Sequence, residues 1–91
     1  MKQSARLANY VQMVEDFLAN RSTPQAFSET FFRTFKEDAG GWDTRIFEAL
    51  NWVATACECY VPGAPTSEFD VTEKQLRTQC AERLKELRRF L

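Results

Sequence analysis

The sequence predicts an all-α chain folded as an antiparallel up-down four-helix bundle. Three observations lead there. Apolar residues recur at three- and four-residue spacing in four separate stretches. Each stretch is bracketed by residues that start or stop helices. No stretch of useful length alternates apolar and polar residues as a half-buried strand would, and the connections are short, which favours antiparallel neighbours.

The first helix follows from Leu7, Tyr10, Val11, Val14, Phe17 and Leu18, which share one face; Asn20 and Arg21 end the pattern. Thr23-Pro24 opens the second helix. The hydroxyl can accept a free backbone N–H, and proline lacks a donor where none is needed. Phe27, Phe31 and Phe35 stripe this helix with Phe32 beside them, and Gly40-Gly41 is read as its stop. Trp42 is expected to pack across the corner that follows.

Asp43 is a good cap for the third helix, whose apolar arc is Ile46, Phe47, Leu50, Val53, Ala54 and Cys57. Pro62, Gly63 and Pro65 stop it, because proline has no N–H and clashes with the preceding turn. Thr72-Glu73-Lys74-Gln75 fits a capping box for the fourth helix. Leu76, Cys80, Leu84, Leu87 and Leu91 form its stripe, and Arg88 and Arg89 suit the negative end of its dipole.

A chain of 91 residues is expected to form a single domain, residues 1–91. A hydrophobic fraction of 44 % with eight phenylalanines suffices for a packed core and excludes a disordered segment. So small a core leaves little room for a substrate cavity, which favours a binding module over an enzyme. No apolar run reaches the roughly 18 residues of a membrane span, and Met1-Lys2-Gln3-Ser4 is not followed by a secretory core. Three cysteines cannot all pair within one chain, in keeping with a reducing, cytoplasmic location.

Chemistry built on the cysteines is not expected. At about 100° per residue, Cys57 and Cys59 point about 200° apart on a helix and cannot chelate together. There is no histidine, and a structural zinc site takes four Cys or His ligands. Cys57 and Cys80 fall on apolar faces, where cysteine packs as a small hydrophobe. The usual general base near neutral pH is missing, as is the customary partner of a cysteine nucleophile. Gly40-Gly41 is no phosphate loop, and a pI near 5.4 argues against nucleic-acid binding. Neither a cofactor nor a metal is expected.

The charge distribution is the informative feature. Residues 43–73 carry one basic and six acidic groups, a net of −5; residues 74–91 carry six basic and two acidic, a net of +4. Either the two segments neutralise one another or the acidic one faces a partner. Opposite the apolar arc of the third helix lie Thr44, Glu48, Asn51, Thr55 and Glu58, a continuous polar stripe. Trp52 and Cys59 also point away from the core. An exposed tryptophan forgoes roughly 1.5–3 kcal/mol of burial, so Trp52 is either an interface residue or is covered by the 61–71 loop.

Several short stretches resemble the bacterial self-protective colicin-like immunity proteins of the colicin D immunity type. Phe17-Leu18-Ala19 and Phe27-Ser28-Glu29 look like that family's first-helix end and second-helix start. Ala56-Cys57-Glu58, leading to Tyr60 and Pro62, is similar to its third helix running into an acidic loop. Phe69-Asp70 before Leu76-Arg77 is similar to its approach to the last helix. The likeness covers roughly residues 7 to 90 and rests on order, spacing and length together. Val61-Pro62-Gly63-Ala64-Pro65 departs from it, being uncharged where the family has more acids.

The resemblance implies a four-helix bundle that is not an enzyme. It would bind the nuclease domain of a bacteriocin or contact-delivered toxin, a tRNase in the colicin D case, as a monomer or in a 1:1 heterodimer. Carboxylates would stand where substrate phosphates lie in a basic active site, the role that falls by position to Glu58, Glu68 and Asp70. Glu48 would contribute at the periphery, and Trp52 and Tyr60 would anchor the contact. The alternative is a small helical adaptor that binds another protein's helix and has nothing to do with toxins.

Overall fold

Local caps decide where the second, third and fourth helices begin in the computed structural model, which describes residues 2–91, with side chains from Ala5 onward. Met1 lies outside the described residues, as do the side chains of the Met1-Lys2-Gln3-Ser4 stretch considered above. The elements are α1 (Lys2–Leu18), α2 (Pro24–Lys36), α3 (Thr44–Cys59) and α4 (Glu73–Arg88). Thr23 accepts from the Ala26 N–H at 3.1 Å with Pro24 in the first turn. Asp43 accepts from the Arg45 N–H at 2.9 Å. At the start of α4 the capping box is complete: Thr72 Oγ1 accepts from Gln75 N at 3.2 Å and Gln75 Oε1 accepts from Thr72 N at 2.9 Å.

Helix ends follow a different logic. Asn20 takes a left-handed conformation (φ 64°) just past α1, a position that asparagine tolerates better than most side chains. The second helix stops at Lys36, four residues before the glycine pair expected to end it. The carboxylate of Asp38 draws the chain out of the helix by accepting from Gly40 N at 2.8 Å and Trp42 Nε1 at 3.1 Å. Gly40 and Gly41, at φ 83° and 78°, shape the turn that follows, where a β-carbon would be strained.

The helices close a ring: α1 packs on α2 and α4, and α3 packs on α2 and α4. Its interior holds Leu7, Tyr10, Val14, Phe17, Phe31, Leu50, Val53, Leu76, Cys80 and Leu87, each almost wholly buried. Phe17 and Phe27 stack at 4.5 Å, and Tyr10 meets Phe31 edge-on at 5.2 Å. Two residues of the expected stripes stay outside. Phe47, at the border of the α3 arc, is 45 % exposed, with its ring 5.6 Å from that of Phe35. Leu91 is exposed because α4 ends at Arg88 and the helical register with it.

Trp42 does more than fill the corner. Its ring meets Tyr10 at 6.0 Å and carries the Arg6 guanidinium at 4.3 Å, so the α2–α3 turn is fastened to α1. At the other end, Arg77 fastens α4 to α1. It lies over the Phe17 ring at 4.4 Å and donates to Phe17 O at 3.1 Å and to Asn20 Oδ1 at 2.8 Å.

Candidate functional site: unpaired carboxylates around one end of the bundle

Between α3 and α4 the chain makes a compact loop whose ends meet. Val61 N donates to Val71 O at 2.9 Å and Val71 N donates to Cys59 O at 2.9 Å, an isolated parallel bridge across Tyr60 and Val71. Inside the loop, Asp70 Oδ2 accepts from Thr66 N at 2.8 Å and from Thr66 Oγ1 at 3.0 Å. These bonds, the backbone one first, hold the Asp70 carboxyl below its ordinary pKa. Asp70 therefore orders the loop, and the loop displays Glu68 and Phe69. Phe69 is 73 % exposed, a large ring left in water between two acids.

The ion pairs separate used charges from free ones. Of the thirteen acids, Glu15, Asp16, Asp38, Asp43, Glu73, Glu82 and Glu86 pair with arginines. Among the described residues, Glu29, Glu37, Glu48, Glu58, Glu68 and Asp70 have no basic partner. The basic C-terminal segment does not neutralise the acidic middle: Arg83 pairs with Glu82 and Glu86 of its own helix, and Arg88 reaches Glu15 on α1 at 2.6 Å. Among the described ion pairs of the C-terminal segment, only that of Arg77 reaches an acid of the middle segment, Glu73, one turn away.

The six residues singled out in the sequence do not form one cluster. Glu58 and Tyr60 share a cleft at the end of α3 with Ser28, Glu29 and Phe32 of α2. Glu68 and Asp70 lie on the other side of the loop, over the first two turns of α4, beside Lys74 and Gln75. Glu48 sits ten residues before Glu58, about 15 Å along the helix, among Arg45, Glu86, Arg89 and Phe90. Trp52 is 56 % exposed on the α3–α4 face with the Arg83 guanidinium 5.8 Å from its ring; it is not covered by the loop. Glu58, Tyr60, Glu68 and Asp70 thus belong to one end of a bundle 41 Å long, and Glu48 and Trp52 extend from it along α3.

Two further residues of that end carry no mark in the sequence as site residues. Phe69 is only another aromatic in a loop until the fold leaves it exposed. Glu29 is one turn into α2, and nothing local marks it as a neighbour of Glu58; the packing of α2 on α3 brings them together.

Two of the three thiols are packing groups. Cys57 and Cys80 are buried and Cys59 is partly exposed, all unpaired. Burial pushes the Cys57 thiol up to about 12, and burial followed by the proximity of Cys57 raises that of Cys80. Both therefore stay protonated and unreactive at neutral pH. Brief alkylation of the native protein is expected to add a single label, at Cys59, and alkylation in denaturant to add three, read by intact mass and peptide mapping. Rapid native labelling at Cys80 would show that the core is looser than described. Among the described residues no three Cys, Asp or Glu side chains are grouped as metal ligands, and no helix is long and apolar enough to cross a membrane.

A family model described as bacterial self-protective colicin-like immunity matches residues 6–87. No curated protein and no solved structure is significantly similar to the chain.

Proposed function

The chain belongs to the bacterial self-protective colicin-like immunity family, and on that premise we propose that it neutralises a nuclease toxin by occupying its basic active site. In this reading it is a single-domain, non-catalytic, cytoplasmic inhibitor that forms a 1:1 heterodimer with the toxin's nuclease domain, a tRNase being the favoured class. Glu58 and Glu68 face the cationic cleft as substitutes for substrate phosphates. Asp70 contributes its charge and holds the loop that presents Glu68. Tyr60 and Trp52 are the aromatic contacts, joined by Phe69, and Glu48 adds charge at the periphery.

One observation carries the proposal: the four acids it uses, Glu48, Glu58, Glu68 and Asp70, are all among the six without a basic partner among the described residues. A nuclease cleft must be lined by Lys and Arg to hold its polyanion, and unpaired carboxylates on a rigid frame complement such a cleft without first breaking internal ion pairs.

Co-expression with a candidate nuclease domain, sought in the neighbouring reading frames, tests it. The chain is expected to restore growth and to co-purify with the domain. The association rate should fall at least about tenfold between about 50 and 500 mM salt, because long-range steering is screened as the Debye length shrinks. A complex whose association rate ignores salt would favour an adaptor-like apolar contact instead.

A further inference from the structure

The cleft between α2 and the end of α3 has a composition of its own. Its volume is about 330 Å³, at the small end of ligand sites and matched to one large side chain rather than to a nucleotide. One wall is a single face of α2, Gln25, Ser28, Glu29 and Phe32; the opposite wall is Cys57 and Glu58, with Tyr60 and Pro62 beyond them. Phe32 and Tyr60 are half-buried, so the lining is aromatic, while Glu29 and Glu58 are exposed. Among the described residues, neither carboxylate has a basic partner.

Ser28 supplies the second, independent sign. It is the only buried polar residue among those described, at 5 % exposure, and its hydroxyl has no nitrogen or oxygen partner. The Cys57 thiol lies within hydrogen-bonding reach of it, a weak partner that burial keeps protonated. A buried hydroxyl without a proper partner is uncommon and points to a missing group. The cleft thus offers two carboxylates, the Gln25 amide oxygen and one hydroxyl as acceptors around an aromatic lining, with no cation among the residues that line it. Lys36 lies outside them, its ammonium 5.9 Å from the Phe32 ring.

We propose that this cleft is a socket for one arginine side chain of the toxin domain, its guanidinium held between Glu29 and Glu58 and stacked on the Phe32–Tyr60 lining. The proposal rests on the immunity reading for the source of the arginine. Guanidinium suits the cleft better than ammonium because it is planar, weakly hydrated and stacks on aromatic faces, and its five donors can serve several separate acceptors. Turning about χ1, the Ser28 hydroxyl exchanges the thiol for a guanidinium N–H. Filling the socket also couples α2 to the loop base, so the contact extends beyond α3.

The test uses the isolated protein and a defined probe. Nα-acetyl-arginine amide, titrated into ¹⁵N-labelled protein, is expected to shift backbone amides in residues 25–32 and 57–62. Nα-acetyl-citrulline amide, the same shape without charge, should bind at least about tenfold more weakly, the size of one lost charge-assisted hydrogen bond. Glu29→Gln should weaken the arginine probe by a similar factor and leave the melting temperature unchanged, since Glu29 is exposed and unpaired. Equal response to both probes, shifts confined to other surfaces, or an unaffected Glu29→Gln variant would overturn the socket. If the arginine probe fails while the toxin domain still binds, the socket is wrong and the immunity reading stands. If the probe binds as described but no nuclease domain does, the socket stands and the immunity reading falls.

Discussion

Replacing Glu58 and Glu68 together by lysine is expected to lower affinity for the nuclease domain by at least about 1,000-fold and to abolish protection of co-expressing cells. Removing one carboxylate from a desolvated contact with a cation costs about 2–5 kcal/mol, so two at the lower limit amount to about 4 kcal/mol, or roughly three decades. Reversal adds repulsion to that loss. Neither residue has an ion-pair partner among the described residues, so the variant should fold as the parent does, with stability within about 0.5 kcal/mol and a melting temperature within about 4 °C. The control is Glu37→Lys. That acid is also exposed and unpaired, but it caps α2 at the opposite end of the bundle, so its reversal should leave binding intact. A double variant that protects as well as the parent would remove phosphate mimicry from the account. Loss of binding in Glu37→Lys as well would mean that net charge, not the placement of these carboxylates, governs the complex.

Much of the frame that positions those carboxylates is legible in the amino-acid sequence. Thr23, Asp43 and Thr72 announce helix starts because a short polar side chain beside an apolar period has one common use. Most of the core faces of α1, α3 and α4 follow from spacing alone, with Cys57 on α3 and Cys80 on α4 among the buried residues. Legibility fails where side chains meet across the fold. Asp38 sits before a glycine pair and reads as an ordinary polar residue near a helix end; its partners Arg6 and Tyr10 lie 32 and 28 positions away. Glu29 and Glu58 become neighbours only through the packing of α2 on α3.

The charge pattern shows the same boundary. A −5 segment followed by a +4 segment invites the expectation that they cancel, and composition cannot say which arginine meets which acid. Helical geometry decides it. Arg83 finds Glu82 and Glu86 within α4, and Arg88 faces α1, which leaves Glu48, Glu58, Glu68 and Asp70 without a basic partner among the described residues. The place of Trp52 is undecided in the sequence for a related reason. The uncharged start of the loop, Val61 to Pro65, would suit a cover for its ring. Instead the bridge at Tyr60 and Val71 holds that loop at the end of the bundle, and Trp52 is left beside Arg83.

Asp38→Ala is expected to destabilise the fold by about 3 kcal/mol, a large share of the roughly 5–10 kcal/mol available to a domain of this size. The side chain of Asp38 is 9 % exposed. It pairs with Arg6 and accepts from the Tyr10 hydroxyl at 2.7 Å, from Gly40 N at 2.8 Å and from Trp42 Nε1 at 3.1 Å. Alanine strands all four donors. Tyr10 keeps only a long contact to Thr34 O at 3.3 Å, and burial, reinforced by Asp38, has raised its pKa so that it remains a donor. At about 4–8 °C per kcal/mol, the melting temperature should fall by at least about 12 °C.

The pH dependence identifies the charge as the cause. Burial alone would raise the Asp38 pKa, but the bonds from Gly40 and Tyr10, the charge of Arg6 and the Trp42 N–H together lower it. A carboxyl lowered in the folded state stabilises fully above its unfolded pKa of about 3.9, and that contribution is lost as pH falls through the folded value. The stability gap between parent and Asp38→Asn, measured by urea denaturation, should therefore be widest at about pH 7 and narrow below about pH 4. A gap that stays constant would assign the effect to shape rather than charge. Because Asp38 lies at the far end from Glu58 and Glu68, the folded fraction of the variant should bind the nuclease domain as tightly as the parent. Saturating toxin domain should then raise the variant's melting temperature by mass action, as any ligand of the native state does. A variant that folds but cannot bind would show that the two ends of the bundle are coupled, with Asp38 helping to set the geometry of the carboxylates at the other.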